Sequence, residues 1–338
     1  MNKEDIFVNK SHWVNFNENQ LNDFAEKIFQ YYRSNGFPFY NTDFDYRKKE
    51  LWKLIDYDIS NIIKDDVVQQ SMHGLGLCWS YFPHAFKVKS SNKISPYDAF
   101  MNDEIFMKVI KKRLKMGTYI SDSGILKMLK LFSGVQGVAN FRPTAAAAIY
   151  KEFAPDGVVW DMSGGWGGRL LGAIRADVKY YIASEPSIET YNGLRQMRND
   201  FGFNDRSEIF CSGSEDLQPD KESLDLCFTS PPYFDLEKYA DESTQSYIKF
   251  SKKEDWVNNF LGKTFQNCYY GLKDGGHMLI NIADPKKKKS ICLEDETVRL
   301  AKEIGFKQIN TMKLSLSNPI MSNKVSAFKY EPIFVFKK

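Results

Sequence analysis

At 338 residues the chain exceeds one average domain and has room for two, so a large core with an attached module is the starting expectation. Hydrophobic residues at 43% and charged residues at 26% exclude wholesale disorder and a fibrous protein, and no run reaches the apolar length that a membrane-spanning helix requires. A formal net charge of +3 is too small to announce a nucleic-acid partner, so any basic face must be local.

The N-terminus, MNKEDIFVNKSHWVNF, lacks the apolar core of a secretory signal, which predicts a cytoplasmic protein. Residues 1–134 are dense in aromatics (FQYYRSNGFPFYNTDFDY) and carry charged helical stretches such as 102–116, without a β-α alternation. They read as a mostly helical N-terminal module. Arg47-Lys48-Lys49 and Lys111-Lys112-Arg113 with Lys115 can contact phosphates or simply form solvated helix faces. Trp79-Ser80-Tyr81-Phe82-Pro83-His84 is aromatic enough to stack on a base, and core packing is the plainer reading. Five scattered cysteines without a CxxC pair fit reduced thiols. His73, Cys78 and His84 lie close in sequence but match no zinc spacing, so no metal is expected.

Residues 135–338 alternate short β-branched or aromatic runs with amphipathic stretches, the signature of a layered α/β domain. Seven strands are predicted at 158–163, 180–186, 208–214, 224–230, 277–284, 306–314 and 331–337. Helices are predicted at 166–175, 187–200, 253–272 and 293–304, the third closed by Lys273-Asp274-Gly275-Gly276. The last two strands are joined through Asn318-Pro319 without a convincing helix, so the final strand is expected to run antiparallel to the rest.

Two segments carry chemistry. The strand VVWD ends in Met162-Ser163-Gly164-Gly165-Trp166-Gly167-Gly168-Arg169, where a strand becomes a helix through glycines. Glycine admits positive φ and close ligand approach, and the helix start offers free N–H groups, an arrangement suited to a nucleotide-like cofactor. Glu185 closes the next strand, where an acidic side chain can bind ribose hydroxyls. A dinucleotide site would show G-x-G-x-x-G, whereas Asp161, Gly165 and Gly167 spell D-x-x-x-G-x-G. Asp161 can also serve as a helix cap. The strand LDLCFTS then runs into Pro231-Pro232-Tyr233-Phe234. Two prolines end the strand and stiffen it at the carboxyl edge, where open α/β sheets bind ligands. Ser230 and the carbonyl of Pro231 can accept the two hydrogens of an exocyclic amino group, turning its lone pair outward, while Tyr233 stacks on the base.

The D-x-x-x-G-x-G spelling resembles the cofactor motif of S-adenosylmethionine methyltransferases. With Ser230-Pro231-Pro232-Tyr233 following in order, residues 138–338 resemble the amino-methyltransferase family that makes N4-methylcytosine or N6-methyladenine in DNA. The resemblance includes Asn140-Phe141-Arg142-Pro143-Thr144 before the turn, where the family places a segment near the methionine end of the cofactor, and the closing stretch 330–336. It implies a Rossmann-like methyltransferase fold, a seven-stranded mostly parallel sheet with an antiparallel last strand. It implies S-adenosylmethionine as cofactor, held by Asp161, Ser163, Gly165, Gly167, Glu185 and Thr144, with Ser214, Glu215 and Asp216 near the adenine ring. It implies Ser230, Pro231, Pro232 and Tyr233 as catalytic residues, with DNA, single- or double-stranded, as substrate.

Serine at the first catalytic position is the form associated with cytosine N4 methylation, where adenine enzymes commonly carry aspartate. No recognition insert separates or follows the motifs, which leaves the N-terminal module as the expected target reader. An RNA base amino-methyltransferase, or a cofactor-binding sensor or recognition subunit, fits the same signatures. Asp235, Glu237, Tyr239, Asp241 and Glu242 form a polar stretch suited to a lid or a solvated loop. The run Lys286-Lys287-Lys288-Lys289 can hold a nucleic-acid backbone or stand as an exposed loop.

Overall fold

A computed structural model of the chain describes residues 3–90, 93–234, 237–284, 292–316 and 329–338. Asp235, the lysine run 286–289 and Asn318-Pro319 lie outside the described residues. The described chain divides into two units, Met1–Asn41 with Pro83–Ala139, and Thr42–Phe82 with Asn140–Lys338. Residues 42–82, which composition assigns to the helical module, thus fall in the second unit.

The first unit is built from the helices Glu18–Asn35, Pro96–Met101, Asp103–Met116 and Asp122–Leu131. The first of these opens on a capping box in which Asn17 and Gln20 each accept the other's backbone N–H at 2.9 Å, satisfying donors the helix leaves orphaned. Trp13, Phe24, Ile28, Phe106, Ile110 and Leu129 belong to its separate apolar core.

The second unit holds a sheet of nine strands: β1 (Ile63–Lys64), β2 (Val67–Val68), β3 (Val158–Asp161), β4 (Tyr180–Ser184), β5 (Ser207–Phe210), β6 (Leu224–Thr229), β7 (Leu272–Asn281), β8 (Lys307–Ser315) and β9 (Tyr330–Lys337). Their spatial order is β1-β2-β8-β9-β7-β6-β3-β4-β5. The seven expected strands form, and β9 runs antiparallel to both β8 and β7, as expected of the last strand. The Rossmann-like fold inferred from the motifs is therefore the one observed, with a correction in strand number. The hairpin β1-β2 adds two strands, because Val67 and Val68 pair with Lys313 and Leu314 and cover what would otherwise be the free edge of β8.

β3, β6 and β7 run parallel, as do β3, β4 and β5, so the chain proceeds outward from β3 in one direction and from β6 in the other. The crevice at the carboxyl ends of β3 and β6 is a topological switch point, where open sheets of this kind bind ligands. On the sheet, Trp160, Met278 and Phe336 share an apolar core with Trp256, Phe260, Phe265 and Leu300. The predicted helix 253–272 is a continuous helical run whose middle, Trp256–Gly262, is π-helical. The helices Pro143–Phe153 and Gly168–Ala176 approach so closely that a Cβ on Gly172 would sit 2.5 Å from that of Ala146.

Candidate active site

β3 delivers Asp161, 1% exposed, to the carboxyl edge, and the chain turns through glycines into the helix Gly168–Ala176. Gly165 has φ +55, a region that side chains disfavour, and its N–H donates to Glu185 Oε2 at 2.9 Å. A Cβ there would meet nothing nearer than 3.6 Å, so the glycine keeps the outer face of the turn open. Gly168 is glycine for the opposite reason: a Cβ would lie 1.8 Å from the Phe141 carbonyl oxygen, which packs against the helix start.

The Asp161 carboxylate is occupied from within the protein. Oδ1 accepts from the Ser163 N–H at 3.2 Å and the Thr229 hydroxyl at 3.1 Å; Oδ2 accepts from Arg169 Nε at 2.9 Å and the Tyr181 hydroxyl at 2.8 Å. Arg169 also donates to the Ser163 carbonyl oxygen. One carboxylate thereby ties the turn, its helix, β4 and β6 together, and the buried Arg169 balances its charge.

Glu185 follows β4 and is buried. Its Oε2 accepts from Gly165 and its Oε1 from the Ser187 N–H at 3.0 Å. Burial pushes its pKa up to about 7 from an ordinary value of 4.5, against two backbone donors that favour the anion. Each oxygen spends one acceptor position on the backbone, which leaves acceptor capacity for the hydroxyls of a ribose.

Beyond β5, Ser214 exchanges a hydrogen bond with Thr264 at 2.8 Å, and Asn267 donates to the Ser214 and Glu215 carbonyls. Lys249 bridges Glu215 Oε1, at 2.9 Å, and Asp216. Glu215 Oε2 is buried without a partner among the described residues, an orphaned acceptor of the kind that an amino group satisfies. The polar stretch after the Ser-Pro-Pro-Tyr segment reaches the same edge. Glu242 accepts from the Ile188 N–H, Thr244 donates to the Pro186 carbonyl at 3.0 Å, and the Tyr239 ring meets Trp166 edge-on. An open glycine face, a buried carboxylate with acceptor capacity to spare and an orphaned carboxylate oxygen thus fit an adenosyl cofactor at this edge.

One strand away, pairing of β6 with β7 ends at Thr229↔Ile280, and Ser230-Pro231-Pro232-Tyr233 continues past the ladder. Pro231 is buried, and Ser230, Pro232 and Tyr233 are half-buried. Phe234 turns the chain at φ +54 and its ring packs edge-on against Trp256 at 5.8 Å. Thr144, fully buried in the first turn of Pro143–Phe153, accepts from the Ser71 N–H at 3.3 Å and its hydroxyl at 3.2 Å. Asn140 donates to the Trp166 carbonyl at 2.9 Å and so holds the stretch before the turn against it.

Other sequence candidates lie elsewhere. Arg47 is buried, stacks 3.7 Å from the Tyr81 ring and bonds Ser80 and Asp200. Arg113 is buried and donates to the Tyr119 carbonyl, so neither arginine is presented to phosphate. Trp79, Tyr81 and Phe82 are core residues. Burial pushes the Cys78 thiol up to about 12, and His73 stacks on Tyr57. Sequence reasoning missed Arg169, Tyr181, Thr229 and Lys249. Only Arg169 had a visible signal, a cation facing Asp161 across the glycine turn.

Comparison with known proteins adds to this geometry. Residues 224–338 match the sequence model of the N6/N4 methyltransferases, described as DNA methylase. No curated protein is significantly similar in sequence. Similar solved structures include an S-adenosylmethionine-dependent O-methyltransferase of Thermotoga maritima, at 15% identity over 59% of this chain and 67% of that chain, with a TM-score of 0.41. Another is the geranyl diphosphate C-methyltransferase of Streptomyces coelicolor, at 13% identity over 57% of this chain and 78% of that chain, TM-score 0.41. The Ser-Pro-Pro-Tyr segment lies inside the stretch that matches the N6/N4 DNA methylase model, with the expected sheet around it, and the protein is a methyltransferase.

Proposed function

We propose that this protein transfers a methyl group from S-adenosylmethionine to the exocyclic amino group of cytosine (N4) or adenine (N6) in DNA. One observation carries the reading: Ser230-Pro231-Pro232-Tyr233 leaves the carboxyl end of β6 directly beside the glycine turn of β3. When bound, S-adenosylmethionine supplies an electrophilic methyl group on a sulfonium centre. Gly165 keeps the face of the turn open to it, Glu185 accepts from the ribose hydroxyls, and the Glu215 oxygen accepts from an amino group. Ser163, Gly167 and Thr144 shape the methionine end. Asp161 serves from behind, through Arg169 and Ser163.

An exocyclic amino group is a poor nucleophile while its lone pair is delocalised into the ring. Ser230 Oγ and the Pro231 carbonyl oxygen each accept one amino hydrogen, which localises the lone pair and points it outward. The ladder of β6 with β7 ends at Thr229, so the Pro231 carbonyl lies past it, and the restricted φ of two prolines stiffens its place. Tyr233 offers a stacking face to a base rotated out of the duplex. Serine at the first position is the form that the family resemblance associates with cytosine. Exposed Lys111, Lys112 and Lys115 on Asp103–Met116 supply cations for backbone phosphates. The cytoplasm is the compartment this reading implies.

Radiolabelled cofactor offered with duplex DNA, single-stranded DNA and RNA tests the substrate class. Label entering DNA supports the proposal; label entering RNA alone replaces it with an RNA enzyme; label in none of them, with the cofactor bound, points to a sensor.

A further inference from the structure

Thr229 is 2% exposed and is the last paired residue of β6. Its hydroxyl donates to Asp161 Oδ1, while the same carboxylate holds the Ser163 N–H and, through Oδ2, Arg169 and Tyr181. Asp161 is rigid for a physical reason: it is buried, paired with a buried guanidinium and saturated with donors. Val159↔Leu226 and Trp160↔Cys227 pair just upstream, but the ladder between β3 and β6 stops short of both tips. The Thr229–Asp161 bond continues that connection by side chains, one residue before Ser230.

We propose that Thr229 is a positioning residue: its bond to Asp161 sets the place of Ser230 and the Pro231 carbonyl relative to the glycine turn. The inference rests on the reading of Ser230 and Pro231 given above. Backbone hydrogen bonds hold β6 up to Thr229, prolines stiffen the chain after Pro231, and this hydroxyl fixes the joint between the two to the cofactor side. A small displacement of a catalytic acceptor lowers turnover without touching cofactor affinity.

Thr229→Val keeps the shape and removes the donor, and Thr229→Ser keeps the donor. Two readouts are taken on the full chain: kcat with DNA beside calorimetric cofactor Kd, and amide hydrogen exchange over residues 226–234 with no substrate present. Thr229→Val is expected to lower kcat about tenfold and speed exchange in that stretch about tenfold, the scale of one hydrogen bond, with cofactor Kd within about twofold. Thr229→Ser is expected to restore both. A valine variant that turns over and exchanges like the natural protein overturns the proposal, as does a serine variant that fails like valine, and so does a kcat loss matched by an equal loss of cofactor affinity. If the natural protein methylates no nucleic acid, the functional reading fails, and hydrogen exchange still decides whether Thr229 holds the strand tip.

Discussion

The glycine turn after β3 and the Ser-Pro-Pro-Tyr segment after β6 leave the same edge of the sheet on neighbouring strands, and they are held in different ways. The turn is fixed by a buried polar network around Asp161, Arg169, Tyr181 and Glu185. The segment is fixed by proline stiffness, by Phe234 against Trp256, and by the Thr229 hydroxyl behind it. The difference separates two kinds of failure. Damage to the turn removes interactions that hold four elements together, so it is expected to cost stability and, on the proposed reading, cofactor binding at once. Damage to the segment removes the groups proposed to face the target base, so it is expected to cost turnover and leave the fold in place.

The hardest break is Arg169→Met, which leaves the Asp161 carboxylate buried and uncompensated. Stability measured by denaturant unfolding is expected to fall by about 3–5 kcal/mol. The opposite side of the comparison is tested by the double variant Ser230→Ala with Tyr233→Ala. It should lose methyl transfer by at least about a hundredfold, roughly 3 kcal/mol of transition-state stabilisation, while calorimetry finds cofactor affinity largely intact. Gly168→Ala pushes a methyl group into the Phe141 carbonyl and is expected to cost about 2–3 kcal/mol of stability, read as a lower thermal midpoint.

The finest test uses the Glu185 carboxyl, whose pKa is raised to about 7 from 4.5. A group with a raised folded pKa contributes stability when protonated, so the cofactor-free protein is expected to lose stability as pH rises from about 4.5 to about 7. Cofactor affinity is expected to move the other way, rising over the same window, because two ribose hydroxyls need an ionised acceptor. Glu185→Gln should flatten both profiles, and unchanged slopes in thermal melts and titrations would rule out this role.

Much of the fold was legible in the sequence because seven strands of 4 to 10 residues and the helices 187–200 and 293–304 carry strong local patterns. The hairpin at 63–68 was not, since two-residue strands have no periodicity and take their partner from Lys313 and Leu314, far along the chain. β7 begins at Leu272 instead of 277 for a similar reason. Gly275 and Gly276 read as a turn, but their backbone pairs with Lys338 at the chain end. At the site, motif spacing located the glycine turn and the Ser-Pro-Pro-Tyr segment. The saturation of Asp161 was invisible, because Tyr181 and Thr229 reach it from neighbouring strands, a relation that exists only once the sheet forms. Arg47 and Arg113 show the same limit in reverse: in sequence they belong to basic clusters, and in the fold they are buried partners of carbonyl, hydroxyl and carboxylate groups.

The proposed chemistry turns on the atom that receives the methyl group. DNA incubated with the protein and isotopically labelled S-adenosylmethionine, then digested to nucleosides and analysed by mass spectrometry, reads that atom directly. Label is expected on an exocyclic nitrogen, as N4-methylcytosine or N6-methyladenine, and is expected to disappear with Ser230→Ala and Tyr233→Ala together. Label on a ring carbon, or full labelling by the double variant, would contradict it.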